Sequence, residues 1–243
     1  MGTEKVITMN AVKNRRVDPI SWEYKTYNKD GAEIPLKVWQ NLKCVLRKHG
    51  ITLRLNLINH EIDFIGLNGS DSRNGKVTDV YSLQMQEGLK LSRGETEASI
   101  MRIAEENSYN PFLEMVIANK NEDTKIIADV FNCLSINYDY LVYEDFFKEL
   151  FVKWCINVVK MSTNTLEKAY RGQGVLILQG KQGARKSTFF EKLMPDKSFF
   201  KGDTSLNPEK VDSIMQNTKY VLVEWGEIDS TLKAEQSKLK QFI

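Results

Sequence analysis

The sequence predicts a mixed α/β protein with a small N-terminal α+β unit, a helical middle region and a partial α/β core that contains a parallel sheet. Three observations lead to this prediction: a helix-then-hairpin pattern near the N-terminus, helical periodicity in the middle, and a strand, glycine-rich loop and helix near residue 180. With 243 residues, 42% of them hydrophobic, the chain can bury a sizeable core. We expect these three parts of the chain to comprise residues 1–75, 76–165 and 166–243, in that order.

The net charge, its distribution and the positions of the cysteines limit the classes of protein to which this chain can belong. The formal net charge is only +2, but residues 1–50 hold ten Lys and Arg against five Asp and Glu, an excess of +5. Cys44, Cys133 and Cys155 lie far apart without a C-x-x-C pair, and Cys44 and Cys155 fall on the apolar stripes of predicted helices, which favours buried thiols at these two positions in a reducing compartment. No leader pattern and no apolar run of membrane-spanning length is present, so we expect a cytoplasmic protein without a membrane partner.

The first 35 residues lack periodicity and interleave basic with aromatic side chains, among them Arg15, Arg16, Trp22 and Tyr24. Such a segment can stack bases and neutralise phosphates. It can equally be an arm that packs its aromatic rings on the domain, and the spacing carries no recognised motif.

A helix and a hairpin follow this arm. Pro35 is expected to open a helix that runs to about His49, and Gly50 to end it. Apolar and polar residues then alternate over 51–57, which predicts a half-buried strand, and a second strand is expected over 61–66. His60 is expected in the turn, because no other metal-binding side chain stands at a ligand spacing.

The sequence of the middle region predicts a series of helices, over 77–91, 95–107, 111–119, 123–135 and 143–159. The last has the clearest apolar stripe, from Tyr143 through Phe151 and Trp154 to Val159. We interpret this stripe as core rather than as a cofactor-binding surface.

The stretch from Gly180 to Thr188, Gly-Lys-Gln-Gly-Ala-Arg-Lys-Ser-Thr, has the layout of a phosphate-binding loop. It follows an apolar run that predicts a strand over 175–179, and it precedes a helical pattern over 189–193. Backbone N–H groups of the loop and the helix N-terminus would face phosphate oxygens. The residues expected to hold a nucleotide are Gly180, Gly183, Ala184, Arg185, Lys186, Ser187 and Thr188.

Arg185 departs from the motif, which has glycine before the lysine. Glycine there lets the backbone approach the phosphates at angles that a side chain resists. The arginine cation could attract phosphate, whereas its Cβ could misplace the loop.

A second apolar run, 219–224, predicts a buried strand that ends in Glu224, and Glu227 follows it closely. Parallel α/β sheets place ligands at the carboxyl ends of their strands. One carboxylate could hold Mg²⁺ together with the Ser187 hydroxyl, and the other could polarise an attacking water. Glu224 and Glu227 are therefore the candidate catalytic residues, and Ser187 and Glu224 the candidate metal ligands. We expect 175–179 and 219–224 to form parallel strands of an α/β region.

These motifs together resemble those of the virulence-associated protein E family, relatives of superfamily 3 helicases. The resemblance covers roughly residues 100–243. It rests on the following segments: the lead-in Asn107-x-Tyr-Asn-Pro111, the helix with Trp154, the loop Gly180–Phe190, the segment Phe199–Asp203, the acidic strand end Val223–Asp229 and Leu239–Ile243.

The resemblance implies an ATP-driven DNA translocase, often encoded by a phage or genomic island, that works in replication beside a primase. ATP and Mg²⁺ would be its cofactors and single-stranded DNA its partner. By their positions in these motifs, Lys186 would bind phosphate and Ser187 would bind Mg²⁺. Glu224 and Glu227 would bind Mg²⁺ and position the attacking water.

The sequence leaves two classes of function open. The chain ends at Ile243, soon after the acidic strand, so we expect a short relative or a fragment that lacks further strands and an arginine finger. One hypothesis is a helicase-like ATPase, weak or inactive in this chain. The other is a non-catalytic DNA- or protein-binding module that associates with itself or with a full-length helicase or primase.

If the basic arm binds DNA, affinity should be weak, non-specific and strongly salt-dependent, because it would rest on phosphate neutralisation. Replacing Arg15 and Arg16 together by glutamine should lower the log–log salt slope by about two, nearly one for each phosphate contact. Fluorescence titration with a short single strand at several salt concentrations measures this slope, and Trp22 reports stacking by quenching.

Glu224→Ala is the control and should leave the salt slope unchanged. An absence of quenching, together with equal affinity of the double variant and the unmodified protein, would make the arm an ordinary solvated surface.

Overall fold

The computed structural model describes residues 19–120, 123, 125–165, 170–172, 174–204 and 210–225. These residues belong to two compact units. The first contains 19–53 and 64–106, and the second contains 54–63 and the described residues from 107 to 225. Helices and two-stranded sheets both occur, so the predicted mixed α/β class is confirmed.

Two hairpins and three helices make up the described residues from 19 to 106. In order they are β1 (Lys25–Tyr27), β2 (Glu33–Pro35), α1 (Trp39–Lys48), β3 (Thr52–Leu55), β4 (Ile62–Ile65), α2 (Arg73–Gln86) and α3 (Arg93–Glu106). The helix–hairpin order and the two helices that follow agree with the sequence prediction. His60 lies in the turn between β3 and β4, as expected.

The start of α1 and the end of the N-terminal arm differ from the prediction. Pro35 does not open the helix, because it is the last residue of β2 and pairs with Lys25 in the antiparallel sheet β1–β2. Val38 is still extended, and helical geometry begins only at Trp39. Residues 25–35, expected to be irregular, thus form a hairpin.

The core of the first unit lies between the three helices. Leu42, Val45 and Leu46 on α1 are buried, as the stripe on this helix predicted, and so is Cys44. They lie among buried side chains of α2 and α3, including Val80 and Ile100. Each fully buried aliphatic side chain of this kind contributes about 1.5–3 kcal/mol relative to exposure.

Two buried amides satisfy backbone groups inside this unit. The Asn41 amide accepts a hydrogen bond from the Tyr24 N–H and donates to the carbonyls of Tyr24 and Leu36, and it thereby fixes the β1–β2 hairpin to α1. The Gln84 amide exchanges two hydrogen bonds with the backbone of Leu91 and holds the connection between α2 and α3.

The second unit is built mainly from helices and one parallel pair of strands. After residue 106 its elements are α4 (Pro111–Ala118), α5 (Lys125–Asn132), a 3₁₀ turn (Tyr138–Tyr143), α6 (Glu144–Ser162), α7 (Lys186–Leu193), a 3₁₀ turn (Lys197–Phe199), β5 (Phe200–Thr204), α8 (Val211–Asn217) and β6 (Leu222–Trp225). Within the described ranges, no helix combines the length and apolarity needed to cross a bilayer.

The Asn-Pro pair at the start of α4 links this helix to α6. The Asn110 side chain caps α4 by accepting a hydrogen bond from the Leu113 N–H, and Pro111 takes the first helical position. The same amide donates to the carbonyl of Ser162 at the end of α6, at 2.6 Å. One side chain thus holds two helix ends together.

Of the two predicted parallel strands, the one over 175–179 is wrong, whereas β6 lies at the end of the run 219–224. β6 pairs in parallel with β5, and residues 175–179 form no strand in the described structure. Val175 and Ile177 are 48% and 62% exposed, and the segment borders an open groove. An apolar run indicates that a segment can be buried, but a strand forms only where another strand lies about 4.8 Å away to pair with it, and no described strand pairs with 175–179.

The apolar stripe of α6 is also less buried than predicted. Of its side chains only Phe151 is fully buried, whereas Tyr143, Phe146 and Leu150 are more than 40% exposed. Leu150 lines the open groove, which leaves this part of the stripe uncovered in the described structure. Burial does, however, raise the pKa of the Cys155 thiol on this helix.

Asn41→Ala should lower the free energy of unfolding of the first unit by about 1–3 kcal/mol, because the Tyr24 N–H loses its acceptor and the carbonyls of Tyr24 and Leu36 each lose one of two donors. Urea denaturation followed by tryptophan fluorescence measures the change.

Arg47→Ala on the same helix is the matched control, since Arg47 is exposed, and its effect should stay within about 0.5 kcal/mol. Equal stability of the two variants would show that the Asn41 amide does not hold the hairpin.

Candidate functional site

The glycine-rich stretch forms an exposed loop that leads directly into α7. The N–H of Ala184 donates to the carbonyl of Lys181 at 3.3 Å and closes a turn, within which Gly183 has a φ of +82°. α7 begins at Lys186, so the predicted change from loop to helix is confirmed. Ser187 and Thr188 follow in the first helical turn, where backbone N–H groups have no partner within the helix.

Arg185 occupies the residue position just before the helix in a left-handed conformation, with φ 59° and ψ 30°. Its carbonyl accepts the N–H of Phe189 at 3.0 Å, so the backbone still starts the helix. A residue with a Cβ loses about 1–2 kcal/mol in this region of φ and ψ. The arginine is therefore accommodated at a position that favours glycine, at a conformational cost.

The Lys186 side chain folds back over the loop. Its ammonium group donates to the carbonyls of Gly180 and Lys181, at 3.0 and 3.1 Å. The lysine thereby joins both ends of the loop and lies next to the N-terminus of α7. A cation held in this way adds to the partial positive charge of the helix N-terminus.

Ser187 and Glu224 meet across the site. The Ser187 hydroxyl donates to Oε1 of Glu224 at 2.6 Å. Ser187 comes from the first turn of α7, and Glu224 is the next-to-last residue of β6. The structure thus brings these two sequence-predicted residues together, although they are 37 positions apart in the chain.

The second carboxylate oxygen of Glu224 has no partner within the described structure. This Oε2 atom is buried. Gly202 in β5 lies beside it: a Cβ built on Gly202 would stand 3.3 Å from Oε2 and 3.1 Å from the ring of Phe200. A buried carboxylate oxygen without a donor is costly, and a bound cation would satisfy it.

Sequence reasoning gave no role to Gly202. The signal was present, because a glycine inside a strand often marks the close approach of another group. In this case the group is the Glu224 carboxylate, which is recognisable only once β5 and β6 are known to be neighbours. Gly202 also falls between the pairs Lys201–Val223 and Thr204–Trp225, where the register shifts.

Aromatic contacts fix the orientation of α7. The ring of Phe189 lies 6.4 Å from that of Phe151, and the ring of Phe190 lies 6.3 Å from that of Trp154 on α6. Aromatic pairs at such separations contribute about 0.5–1.5 kcal/mol beyond the area they bury. The stripe on α6 therefore supports the helix that carries Lys186 and Ser187.

An open groove of about 1310 Å³ extends from α6 along residues 174–180. Its walls are largely apolar and include Phe147, Trp154 and Leu176. Gly180, the first residue of the loop, lies at its edge, so the groove and the loop are continuous.

The residues present fit a phosphate and a magnesium ion. Phosphate would face the Lys186 ammonium group and the first N–H groups of α7. Mg²⁺ keeps several waters and takes one or two carboxylates plus phosphate oxygens, which suits the pair of Ser187 and Glu224. No group of three or more His, Cys, Asp and Glu able to hold a metal occurs in the described part of the chain.

Some predicted residues fall outside the described ranges. Glu227 is one of them, as are Arg15, Arg16 and the segment Leu239–Ile243. The catalytic role assigned to Glu224 and Glu227, and the nucleotide-binding role assigned to the loop, stay predictions.

A family model for the virulence-associated protein E-like domain matches residues 117–243. The match covers slightly more than half of the 243 residues and includes α6, the loop, Ser187 and Glu224. A search of curated proteins found no match. Apart from the lead-in at 107–111, the matched region contains the motifs on which the resemblance was based, and the chain belongs to the virulence-associated protein E-like family.

Proposed function

We propose that the protein is a nucleoside triphosphate-binding replication protein of a phage or genomic island, which binds ATP with Mg²⁺ and acts on DNA. The observation that carries this proposal is the 2.6 Å hydrogen bond between Ser187 and Glu224 beside the Lys186 ammonium group. Family membership supports the replication context.

In this proposal each side chain has a separate task. Lys186 leaves the carbonyls of Gly180 and Lys181 and turns its ammonium group to the terminal phosphates, while the backbone N–H groups of the loop surround them. Ser187 and Glu224 hold Mg²⁺, and Glu227 orients the attacking water. Bound Mg²⁺ supplies neutralisation of the charge that develops on the phosphoryl oxygens.

A second candidate function is a non-catalytic module that binds DNA, a copy of itself or a full-length helicase or primase. The left-handed Arg185 favours it, because a side chain at this position narrows the approach of phosphate to the loop backbone. Nucleotide binding discriminates between the two functions.

Lys186→Ala should weaken Mg²⁺–ATP binding by at least about tenfold, since a hydrogen bond to a charged group contributes about 1.5–3 kcal/mol. Isothermal titration calorimetry on the full chain measures the affinity. Glu224→Gln should weaken binding in the presence of Mg²⁺ but leave metal-free binding nearly unchanged.

Lys192→Gln is the matched control, because Lys192 is an exposed cation in the last turn of α7. Equal affinities of the unmodified protein and the Lys186→Ala variant would contradict nucleotide binding at this loop, and no binding by either would contradict nucleotide binding altogether and favour the second function.

Hydrolysis of ATP by the isolated chain should be slow. An arginine finger is often supplied in trans by a second protein and accelerates phosphoryl transfer by about 10³–10⁵-fold. The steady-state rate of phosphate release by the unmodified protein should therefore be close to that of the Lys186→Ala variant, which gives the background. Turnover at rates usual for a helicase, lost in Lys186→Ala, would contradict this prediction.

A further inference from the structure

The 3₁₀ turn before α6 exposes nearly all of its apolar side chains. Asn137 caps this turn by accepting the N–H of Asp139 at 3.3 Å, and the sequence Tyr-Asp-Tyr-Leu-Val-Tyr that follows Asn137 contains one charged residue in six. A 3₁₀ helix has three residues per turn, so a run of this composition presents apolar groups on every side and cannot bury them all against one neighbour.

Together with the start of α6, this turn forms what we call the tyrosine surface, which consists of Tyr138, Tyr140, Leu141, Val142, Tyr143 and Phe146. Each of these side chains is more than 40% exposed, and those of Tyr138 and Val142 are 85% and 83% exposed. An exposed apolar surface of this extent beside charged residues marks an interaction site.

The charges beside the tyrosine surface are negative. Asp139, Glu144 and Asp145 alternate with its members along the chain, are exposed, and form no ion pair with any residue that the structure describes. Residues 137–149 hold four Asp and Glu against one Lys, an excess of −3. This charge repels nucleic-acid phosphates, and it also disfavours contact with the tyrosine surface of another copy, because like charges would meet.

The chain contains a segment of complementary chemistry. Residues 5–16, which lie outside the described ranges, hold four Lys and Arg and no Asp or Glu, and aliphatic side chains such as Val6, Ile7 and Val12 stand between them. Lysine and arginine bind the faces of tyrosine rings, and arginine donates two parallel hydrogen bonds to a carboxylate. The aliphatic side chains supply the apolar contact that the tyrosine surface lacks.

We propose that the tyrosine surface binds residues 5–16 of a second copy of the chain, so that two copies associate by reciprocal exchange of these segments. Because each copy supplies one segment and one surface, the two contacts reinforce each other. In this arrangement Arg15 and Arg16 face carboxylates rather than phosphates. The inference does not depend on nucleotide binding, since neither partner surface contains a residue of the glycine-rich loop.

Charge reversal on each side tests the contact in the full chain, with sedimentation velocity over a concentration series as the measurement. Asp139→Lys with Asp145→Lys, and separately Arg15→Glu with Arg16→Glu, should each weaken self-association by at least about tenfold, because like charges then meet. A chain that carries all four substitutions should associate again, since the opposite charges are restored with their sides exchanged.

Glu97→Lys with Asp212→Lys is the matched control. It changes the net charge by the same amount at exposed carboxylates outside the tyrosine surface, and Asp212, like Asp145, lies in the first turn of a helix. Its self-association should equal that of the unmodified protein. Tyr138→Ser with Val142→Ser removes apolar contact without a change of charge and should also weaken association by at least about tenfold.

A monomer at every concentration would overturn this proposal, and so would self-association that the Asp139→Lys, Asp145→Lys variant retains. Failure of the fourfold variant to associate would overturn it as well, provided that circular dichroism shows the native helix content. If the lysine variants do not fold, the Tyr138→Ser, Val142→Ser variant decides, because both of its substitutions are at highly exposed positions. Unchanged self-association of that variant would contradict the proposal.

Discussion

The left-handed backbone at residue 185 is the constraint on which the candidate site depends. It turns the chain from the exposed loop into α7, so that Lys186 and Ser187 occupy the first helical turn. From there the lysine reaches back to Gly180 and Lys181, and the serine reaches Glu224. Without this turn the helix N-terminus and the two side chains would not converge, because their positions follow from the direction in which α7 starts.

The packing around this turn explains why one site can form from distant segments. Phe189 and Phe190 attach α7 to α6, and β5 places Gly202 next to Glu224. The absence of a Cβ at Gly202 leaves space for the carboxylate, whose buried Oε2 lacks a donor in the described structure. An oxygen that is buried without a hydrogen bond is consistent with a residue arranged for a cation rather than for stability.

Predictions from local sequence patterns were correct where residues close together in the chain determine the structure. Helices over most of 143–159, from Pro111 onward and directly after the glycine-rich loop all occur as expected, although the last begins at Lys186. The predictions failed where a neighbour decides the outcome. Pro35 belongs to β2 because it pairs with Lys25, and the apolar run 175–179 has no strand beside it in the described structure.

By itself, the sequence determined the phosphate-loop motif, its lysine and serine, and the carboxylate at the end of a strand, because these are fixed by residue type and spacing along the chain. Only the tertiary structure decided that β5 is the partner of β6, that Glu224 reaches Ser187, that Arg185 takes the conformation of a glycine, and that the α6 stripe lines an open groove. The physical reason is that strand pairing, burial and side-chain contacts across the sheet depend on residues far apart in the chain, about which a local pattern carries no information.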